Sequence, residues 1–212
     1  MRTLAILPVK RFDIAKSRLR EALEPALRER LAEAMVSDVL TTLRSCKALE
    51  AVVLVTNEPA VAATATAYGA SVLADPQEAG QSAAALVGVR HALEGGCERV
   101  LLVPGDCPAL DGAELAELLR PGVTPPAVTI VSDRHGTGTN ALLIAPPDAI
   151  EPSFGPGSFA RHHEAALAAG ASWHVAEPPG LLLDIDTPED LAVLRSGTAG
   201  GSRTRAVLEE LR

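Results

Sequence analysis

Two acidic segments of the sequence carry residue types suited to metal and phosphate chemistry. In the segment 103–106, an apolar run ends in a turn that holds Asp106. In the segment 183–191, Asp184 and Asp186 lie two residues apart, so both side chains share one side of an extended chain. Carboxylate oxygens suit Mg²⁺ better than zinc or iron, and bound Mg²⁺ usually completes its shell with waters and substrate phosphates. We therefore predict a magnesium site built from Asp106, Asp184 and Asp186.

Both acidic segments also have a purely structural interpretation. Asp106 could be an ordinary turn residue that follows a backbone bend at Gly105. Asp186 or Thr187 could cap a helix that has Pro188 at its first position. The two interpretations are compatible in the second segment, because Thr187 could cap the helix while Asp184 and Asp186 bind a cation.

A cluster of basic residues follows the first apolar run of the chain. Lys10, Arg11, Lys16 and Arg18 lie within nine residues of each other in an acidic protein. At the carboxyl end of a strand, this positive charge could hold a nucleotide triphosphate. The GxxxxGK[ST] pattern of a P-loop is absent, and a solvated basic loop is the structural alternative.

Two glycine-containing turns are candidates for an anion site. The turn 154–158 opens a predicted helix with Ser158 in position to cap it, and a second turn covers 136–139. Free N–H groups at the start of a helix attract anions, and glycines allow a ligand to approach the backbone closely. Together the turns could hold a small carboxylate, although two ordinary turns would give the same pattern.

The composition limits the class of protein. A chain of 212 residues suits one α/β domain, and its net charge of -8 argues against nucleic acid and anionic membranes as partners. Three cysteines without a CxxC pair indicate reduced thiols, and the first apolar run is too short to span a membrane. The five histidines show no metal-ligand spacing. We expect a soluble, cytoplasmic protein.

Strands and helices alternate along the chain. The predicted strands are 3–8, 51–56, 70–74, 99–103, 127–132, 140–145 and 172–175, with a last short apolar strand at 181–183. The predicted helices are 25–43, 59–68, 82–94, 112–119, 158–169 and 188–195. This alternation predicts a three-layer α/β/α sandwich with a mostly parallel sheet. The short connection between 127–132 and 140–145 allows a hairpin, so the sheet should be mixed.

Five segments together resemble the guanylyltransferases of deazaflavin coenzyme F-420 biosynthesis. The segments are PVKRFDIAKSRL, PGDCPAL, GTGTNALL, FGPGSFARH and LLLDIDTPEDL, and the resemblance covers about residues 1–195. The last segment occurs in many nucleotidyltransferases, whereas the first segment together with FGPGSF is much more specific. The resemblance implies a fold like that of nucleotide-diphospho-sugar transferases, which is Rossmann-like.

The resemblance also implies a reaction and a role for each site residue. GMP would pass from GTP to the phosphate of phosphoenolpyruvate or 2-phospho-L-lactate, with release of pyrophosphate. Asp106, Asp184 and Asp186 would bind Mg²⁺. Lys10, Lys16 and Arg18 would face the triphosphate and act with Asp106 in catalysis. Thr139, Gly155 and Ser158 would hold the carboxylate of the acceptor through backbone groups.

Several features of this prediction remain open at the level of sequence. Family members often carry a Gly-Leu-Asn-like segment near the base, where this chain has Gly80-Gln81-Ser82, so the base preference is open. Phosphoenolpyruvate is the expected acceptor from the resemblance to bacterial members, and 2-phospholactate and 3-phosphoglycerate differ from it by only a few atoms. A homodimer is compatible with the sequence.

We predict a single nucleotidyltransferase domain over 1–196, followed by a flexible linker and a short C-terminal tail over 197–212. Two alternative functions compete with this prediction. A molybdopterin or sugar-phosphate nucleotidyltransferase would usually have a glycine-rich loop after the first strand, where this chain has its basic residues. A non-catalytic module that binds an anionic metabolite would bind its ligand without turnover.

Overall fold

A computed structural model of the chain describes residues 1–12, 16–75, 77–120, 122, 124–196 and 200–210. The strands are β1 (Thr3–Pro8), β2 (Ala51–Val55), β3 (Ser71–Leu73), β4 (Arg99–Leu102), β5 (Ala127–Ser132), β6 (Thr139–Ala145) and β7 (Ser172–Ala176). The α-helices are α1 (Pro25–Ser45), α2 (Pro59–Ala67), α3 (Gln81–Glu94), α4 (Gly112–Leu118), α5 (Ser158–Ala168), α6 (Pro179–Leu182), α7 (Pro188–Ser196) and α8 (Ser202–Glu209). A short 3₁₀ helix, Ser17–Leu19, follows the basic residues.

The seven strands form one mixed sheet in the order β3-β2-β1-β4-β6-β5-β7. Every pair of neighbours is parallel except the two that include β6, which runs antiparallel to both β4 and β5. The predicted hairpin between β5 and β6 and the predicted mixed sheet are therefore confirmed. Because β6 is reversed, its first residues, Thr139 and Asn140, lie at the edge where β1 and β4 end.

Helices cover both faces of the sheet, which confirms the three-layer sandwich. Side chains of a strand alternate between faces, so Ala5 and Leu7 of β1 pack in one apolar cluster while Leu4 and Ile6 pack in another. The first cluster includes residues of α1, α2 and α4, and the second includes residues of α3 and α5. This two-sided burial explains why β1, β4 and β6 each contain a continuous apolar run, at 4–7, 100–102 and 141–145, rather than alternating residues.

A third apolar cluster anchors the second acidic segment. Ile185 is fully buried, whereas Asp184 and Asp186 on either side of it are half-buried. Ile185 packs with residues of α1, α7 and α8. In α8, the backbone N–H groups of Arg203 and Thr204 donate to the carboxylate of Asp38 on α1, at 3.2 and 2.8 Å.

Residues 197–199 of the predicted linker lie outside the described residues, and the domain boundary at 196 stays a prediction.

One predicted strand is wrong. Residues 181–183 were expected to be extended, but Pro179–Leu182 form one turn of helix, α6. Proline suits the first position of a helix, and a Cβ on Gly180 would lie 2.3 Å from the carbonyl oxygen of Ala109, so only glycine fits this turn. Across the described residues, none of the helices is both long and apolar enough to cross a membrane.

Candidate active site

The two acidic segments lie side by side at the edge where β1 and β4 end. The backbone N–H of Ile185 donates to the carbonyl oxygen of Asp106 at 3.1 Å, which joins the segments directly. Gly105 and Asp106 lie in a turn, as predicted, and Gly105 also has a packing role. A Cβ at this position would lie 2.8 Å from a methyl carbon of Val36, so glycine lets α1 approach the turn.

Lys16 connects both acidic segments to the basic residues. Its Nζ lies 2.5 Å from Oδ2 of Asp106 and 2.8 Å from Oδ1 of Asp186, and its side chain is only 7% exposed. Burial alone would lower the pKa of Lys16, but the two carboxylates together outweigh burial and raise it. Conversely, burial would raise the pKa of Asp186, but the nearby cations, chiefly Lys16, lower it. Lys16 and Asp186 therefore both stay charged at neutral pH.

The other predicted cations are arranged more loosely. Nη1 of Arg18 lies 3.8 Å from Oδ2 of Asp186, and its side chain is 70% exposed. Lys10 is exposed and lines the same cavity as Lys16. Both are free to turn toward a ligand at small cost, since exposed ion pairs contribute little to stability.

The carboxylate of Asp184 contacts β6. The side-chain amide of Asn140 donates to Oδ1 of Asp184 at 3.2 Å and to the carbonyl oxygen of Leu181 at 2.8 Å. Burial, followed by the charges of Asp106 and Asp186, raises the pKa of Asp184. These three carboxylates thus concentrate negative charge at one point, which a cation would relieve.

The arrangement fits a divalent cation in part. Among the described residues, no three His, Cys, Asp or Glu side chains form a group that could hold a metal ion, and Lys16 lies between two of the three predicted ligands. However, Oδ1 of Asp106 is buried without a hydrogen-bond partner in the described structure. An unpaired buried carboxylate oxygen fits a metal ligand, and Mg²⁺ needs only one or two carboxylates when phosphates and waters complete its shell.

A cavity of about 520 Å³ opens beside these residues. One end is lined by Lys10, Arg11, Lys16, Arg18 and by Asp106 and Asp186. The other end is lined by polar groups that follow β2 and β3, namely Asn57, Asp75, Glu78, Gly80 and Gln81. The cavity therefore combines a cationic end, suited to phosphates, with a polar end that can form directional hydrogen bonds.

The two glycine-containing turns meet at the start of α5. The backbone N–H of Phe159 donates to the carbonyl oxygen of Thr137 at 3.2 Å. Gly157, with φ of +71°, is the residue that caps α5, so the prediction of Ser158 as the cap is wrong. Ser158 is instead the first helical residue, and its buried Oγ has no hydrogen-bond partner among the described residues. Thr139, Gly155 and Ser158 do not line this cavity.

The predicted cap of α7 is confirmed, with a partner that sequence analysis did not single out. Oγ1 of Thr187 accepts from the N–H of Asp190 at 3.2 Å. In return, Oδ2 of Asp190 accepts from the N–H groups of Asp186 and Thr187, and its Oδ1 pairs with Nη2 of Arg134 at 2.6 Å. The Thr-x-x-Asp spacing is close to a capping box and could have revealed this contact. Asp190 thus fixes the backbone at Asp186 and links it to the turn 133–138.

This fold recurs in solved structures of low sequence identity. A crystal structure from Desulfovibrio desulfuricans G20, provisionally assigned as a nucleotide-diphospho-sugar transferase, has the same fold, with a TM-score of 0.77 at 19% identity over 99% of this chain and 95% of that one. More narrowly, the chain belongs to the family described as guanylyl transferase CofC like, whose model matches residues 3–212. The predicted family is therefore confirmed.

Named relatives agree with this family. The chain is 48% identical over 216 residues to the phosphoenolpyruvate guanylyltransferase of Conexibacter woesei, covering 100% of this chain and 97% of the relative. It is 40% identical over 205 residues to the enzyme of the same name from Rubrobacter xylanophilus, covering 97% and 98%. Family membership favours a guanylyltransferase over the molybdopterin and sugar-phosphate types and over a non-catalytic binding module.

Proposed function

We propose that this protein transfers GMP from GTP to the phosphate of phosphoenolpyruvate and releases pyrophosphate, in a Mg²⁺-dependent reaction of coenzyme F-420 biosynthesis. The observation that carries the proposal is that Asp106 and Asp186 line the cavity while the neighbouring Asp184 contacts the start of β6. On one side lies the cavity with its cationic end, and on the other lie Thr139 and the start of α5. Two anionic substrates could therefore meet at the carboxylates.

The cavity supports the donor side of the reaction. The triphosphate of GTP would lie against Lys10, Lys16 and Arg18, and the base would reach the polar end near Glu78 and Gln81. Guanine presents two adjacent N–H donors and one carbonyl acceptor on its pairing edge. A carboxylate and an amide offer the complementary acceptors and donors.

The turns support the acceptor side. The start of α5 offers the positive end of an 11-residue helix, which favours a carboxylate. Thr139 lies next to Asn140, whose amide contacts Asp184. A carboxylate bound at Thr139, Gly155 and Ser158 would thus leave the phosphate of the same small molecule close to the aspartates.

The chemistry needs charge neutralisation and alignment more than proton transfer. A phosphate monoester loses its second proton near pH ~6, so the attacking oxygen is already anionic at neutral pH and no general base is required. It attacks the α-phosphorus of GTP, a new P–O bond forms, and the bond to pyrophosphate breaks. Mg²⁺ held by Asp106 with Asp184 and Asp186 would neutralise charge on the phosphates of both substrates. Lys16 would then be released to stabilise the leaving pyrophosphate.

The test is a competition between acceptors. Purified protein is given GTP, Mg²⁺ and an equimolar mixture of phosphoenolpyruvate, 2-phospho-L-lactate and 3-phosphoglycerate, and the guanylylated products are separated by mass. We expect the adduct of phosphoenolpyruvate to dominate and to disappear when the metal is chelated. ATP in place of GTP tests the base preference. Absence of every adduct, with GTP binding intact, would refute the proposed activity.

A further inference from the structure

His162 in α5 is fully buried, although the sequence assigned it no role. Its Nε2 lies 2.8 Å from the backbone nitrogen of Ser153, and its Nδ1 lies 2.9 Å from Oγ1 of Thr139. The ring of Phe154 packs edge-on against the imidazole, with 5.4 Å between ring centroids. His162 therefore connects the start of β6 to the turn that opens α5.

These two contacts determine which ring nitrogen carries the proton. A backbone N–H can only donate, so Nε2 must be unprotonated and accept from Ser153. The single proton of the neutral ring is then on Nδ1, which donates to Oγ1 of Thr139. Burial, and secondarily the charge of Arg161, lower the pKa of His162 to about 4, which agrees with a neutral imidazole.

The direction of this bond determines what Thr139 can do. Because Oγ1 already accepts a hydrogen from His162, the hydroxyl hydrogen of Thr139 remains for a second partner. At the start of α5, the buried Oγ of Ser158 lacks a partner among the described residues. Leaving such groups unpaired is costly, and an anion bound at the start of α5 would satisfy both.

The turn itself is held in place around His162. The guanidinium of Arg161 donates to the carbonyl oxygens of Ser153, Phe154 and Pro156 at 2.6 to 3.1 Å. The backbone N–H of Phe154 donates to Oγ of Ser82 on α3 at 2.8 Å. The acceptor side is thus fixed from several directions before any ligand binds, and His162 is the contact that reaches Thr139.

We propose that His162 is a positioning residue for the acceptor. It joins Ser153, which precedes α5, to Thr139 of β6. It thereby directs the hydroxyl hydrogen of Thr139 toward the carboxylate of phosphoenolpyruvate. Thr139 would then bind the acceptor through its side chain in addition to its backbone. This inference rests on the proposed function, because the acceptor site is used only if such an acceptor is guanylylated.

Two substitutions at His162 separate its contacts. The amide of Gln reaches the position of Nε2, so His162→Gln keeps an acceptor for Ser153 and loses the donor to Thr139. The amide of Asn reaches the position of Nδ1, so His162→Asn keeps that donor. Thr139→Val removes the hydroxyl at constant shape, and Thr139→Ser retains it. The neighbouring His163, which packs on Trp173, provides the matched control His163→Asn.

The measurement is steady-state pyrophosphate release with each substrate varied in turn. We expect His162→Gln and Thr139→Val each to raise the KM for phosphoenolpyruvate about tenfold or more, the size of one hydrogen bond to a charged group. The KM for GTP should stay within about twofold, and His162→Asn and Thr139→Ser should lie closer to wild type. The double variant should be no worse than Thr139→Val alone, because both changes remove the same interaction.

Three results would overturn the inference: an unchanged KM for phosphoenolpyruvate in His162→Gln, equal losses for both substrates, or additive effects in the double variant. Failure of the proposed function looks different, because wild-type protein would then transfer no GMP to phosphoenolpyruvate. In that case, calorimetric binding of phosphoenolpyruvate to the same variants decides the role of His162, and equal affinities would overturn it.

Discussion

The ammonium group of Lys16 lies 2.5 Å from a carboxylate oxygen of Asp106, in the position between two carboxylates where a metal ion would be expected. Lys16 adopts a left-handed backbone conformation, with φ of +53°, which is unusual for a residue other than glycine. Lys16 supplies positive charge to both Asp106 and Asp186. A divalent cation would compete with it for the same oxygens.

This competition predicts a specific phenotype for Lys16→Met. Without the ammonium group, Asp106 and Asp186 repel each other, so the metal-free protein should lose about 1–3 kcal/mol of stability, less than for a fully buried pair because both carboxylates are in part exposed. Mg²⁺ should then raise the Tm of the variant more than that of wild type, because the metal binds the folded protein and no longer competes with Lys16 for the carboxylates.

Differential scanning fluorimetry with and without Mg²⁺ measures this effect independently of catalysis. Arg18→Met is the matched control, since Arg18 lies 3.8 Å from Asp186 and does not contact Asp106 in the described structure. Equal Mg²⁺-dependent shifts in Tm for wild type and Lys16→Met would show that Lys16 and the metal do not share a site. GMP transfer by Lys16→Met should also fall, because the triphosphate loses a cation.

Asp106→Asn tests the metal assignment through catalysis. The amide keeps the size of the side chain and can still accept from Lys16, so the fold should be unchanged by circular dichroism. The rate of pyrophosphate release should fall by about 10²- to 10³-fold, the usual loss when one group that stabilises transition-state charge is removed. Asp111→Asn is the control, because Asp111 only caps α4 and Asn caps helices equally well. A near-normal rate for Asp106→Asn would exclude Asp106 as a ligand.

Much of this architecture was predictable, because it depends on local patterns. The apolar run of β1, the helical spacing in α1 and the Thr187 cap each identify an element from a few adjacent residues. The contacts between distant elements were not predictable in the same way. Lys16 meets Asp186 across 170 positions, and His162 meets Thr139 only because β6 is antiparallel to its neighbours.

The wrong predictions have local physical causes. At 181–183, three leucines suggested a strand, but Pro179 and the space-limited Gly180 begin a helical turn just before them. At Ser158, a good capping residue follows Gly157, which takes the capping position itself because glycine adopts a positive φ readily. In both cases the residue that determines the backbone conformation precedes the residue on which the prediction was based.

Asp184→Asn should make the protein more stable and less active. The pKa of Asp184 is raised in the folded protein by burial and by Asp106 and Asp186, so ionised Asp184 stabilises the fold less than neutral Asp184 would. The stability linked to its proton is present at acid pH and lost as the pH rises through the folded pKa. A neutral amide should therefore raise Tm in metal-free buffer at pH 7, whereas GMP transfer should fall. A Tm below wild type at pH 7 would contradict this.

The neutral state of His162 predicts a dependence of stability on pH. Its pKa is lowered from 6.5 to about 4 in the folded protein, so below pH 6.5 the unfolded chain takes up a proton that the folded protein refuses. The contribution of His162 is therefore present above pH 6.5 and is lost as the pH falls toward 4. Between pH 7 and pH 5 this loss amounts to ~2 kcal/mol.

Urea unfolding of wild type and His162→Gln at pH 7, 6 and 5 measures this contribution. The two proteins share the other four of the five histidines, so the change in the difference between their unfolding free energies isolates His162. We expect that difference to shift against wild type by ~2 kcal/mol from pH 7 to pH 5. A pH-independent difference would mean that His162 takes up a proton as readily in the folded protein as in the unfolded chain, and a protonated Nε2 could not accept from Ser153.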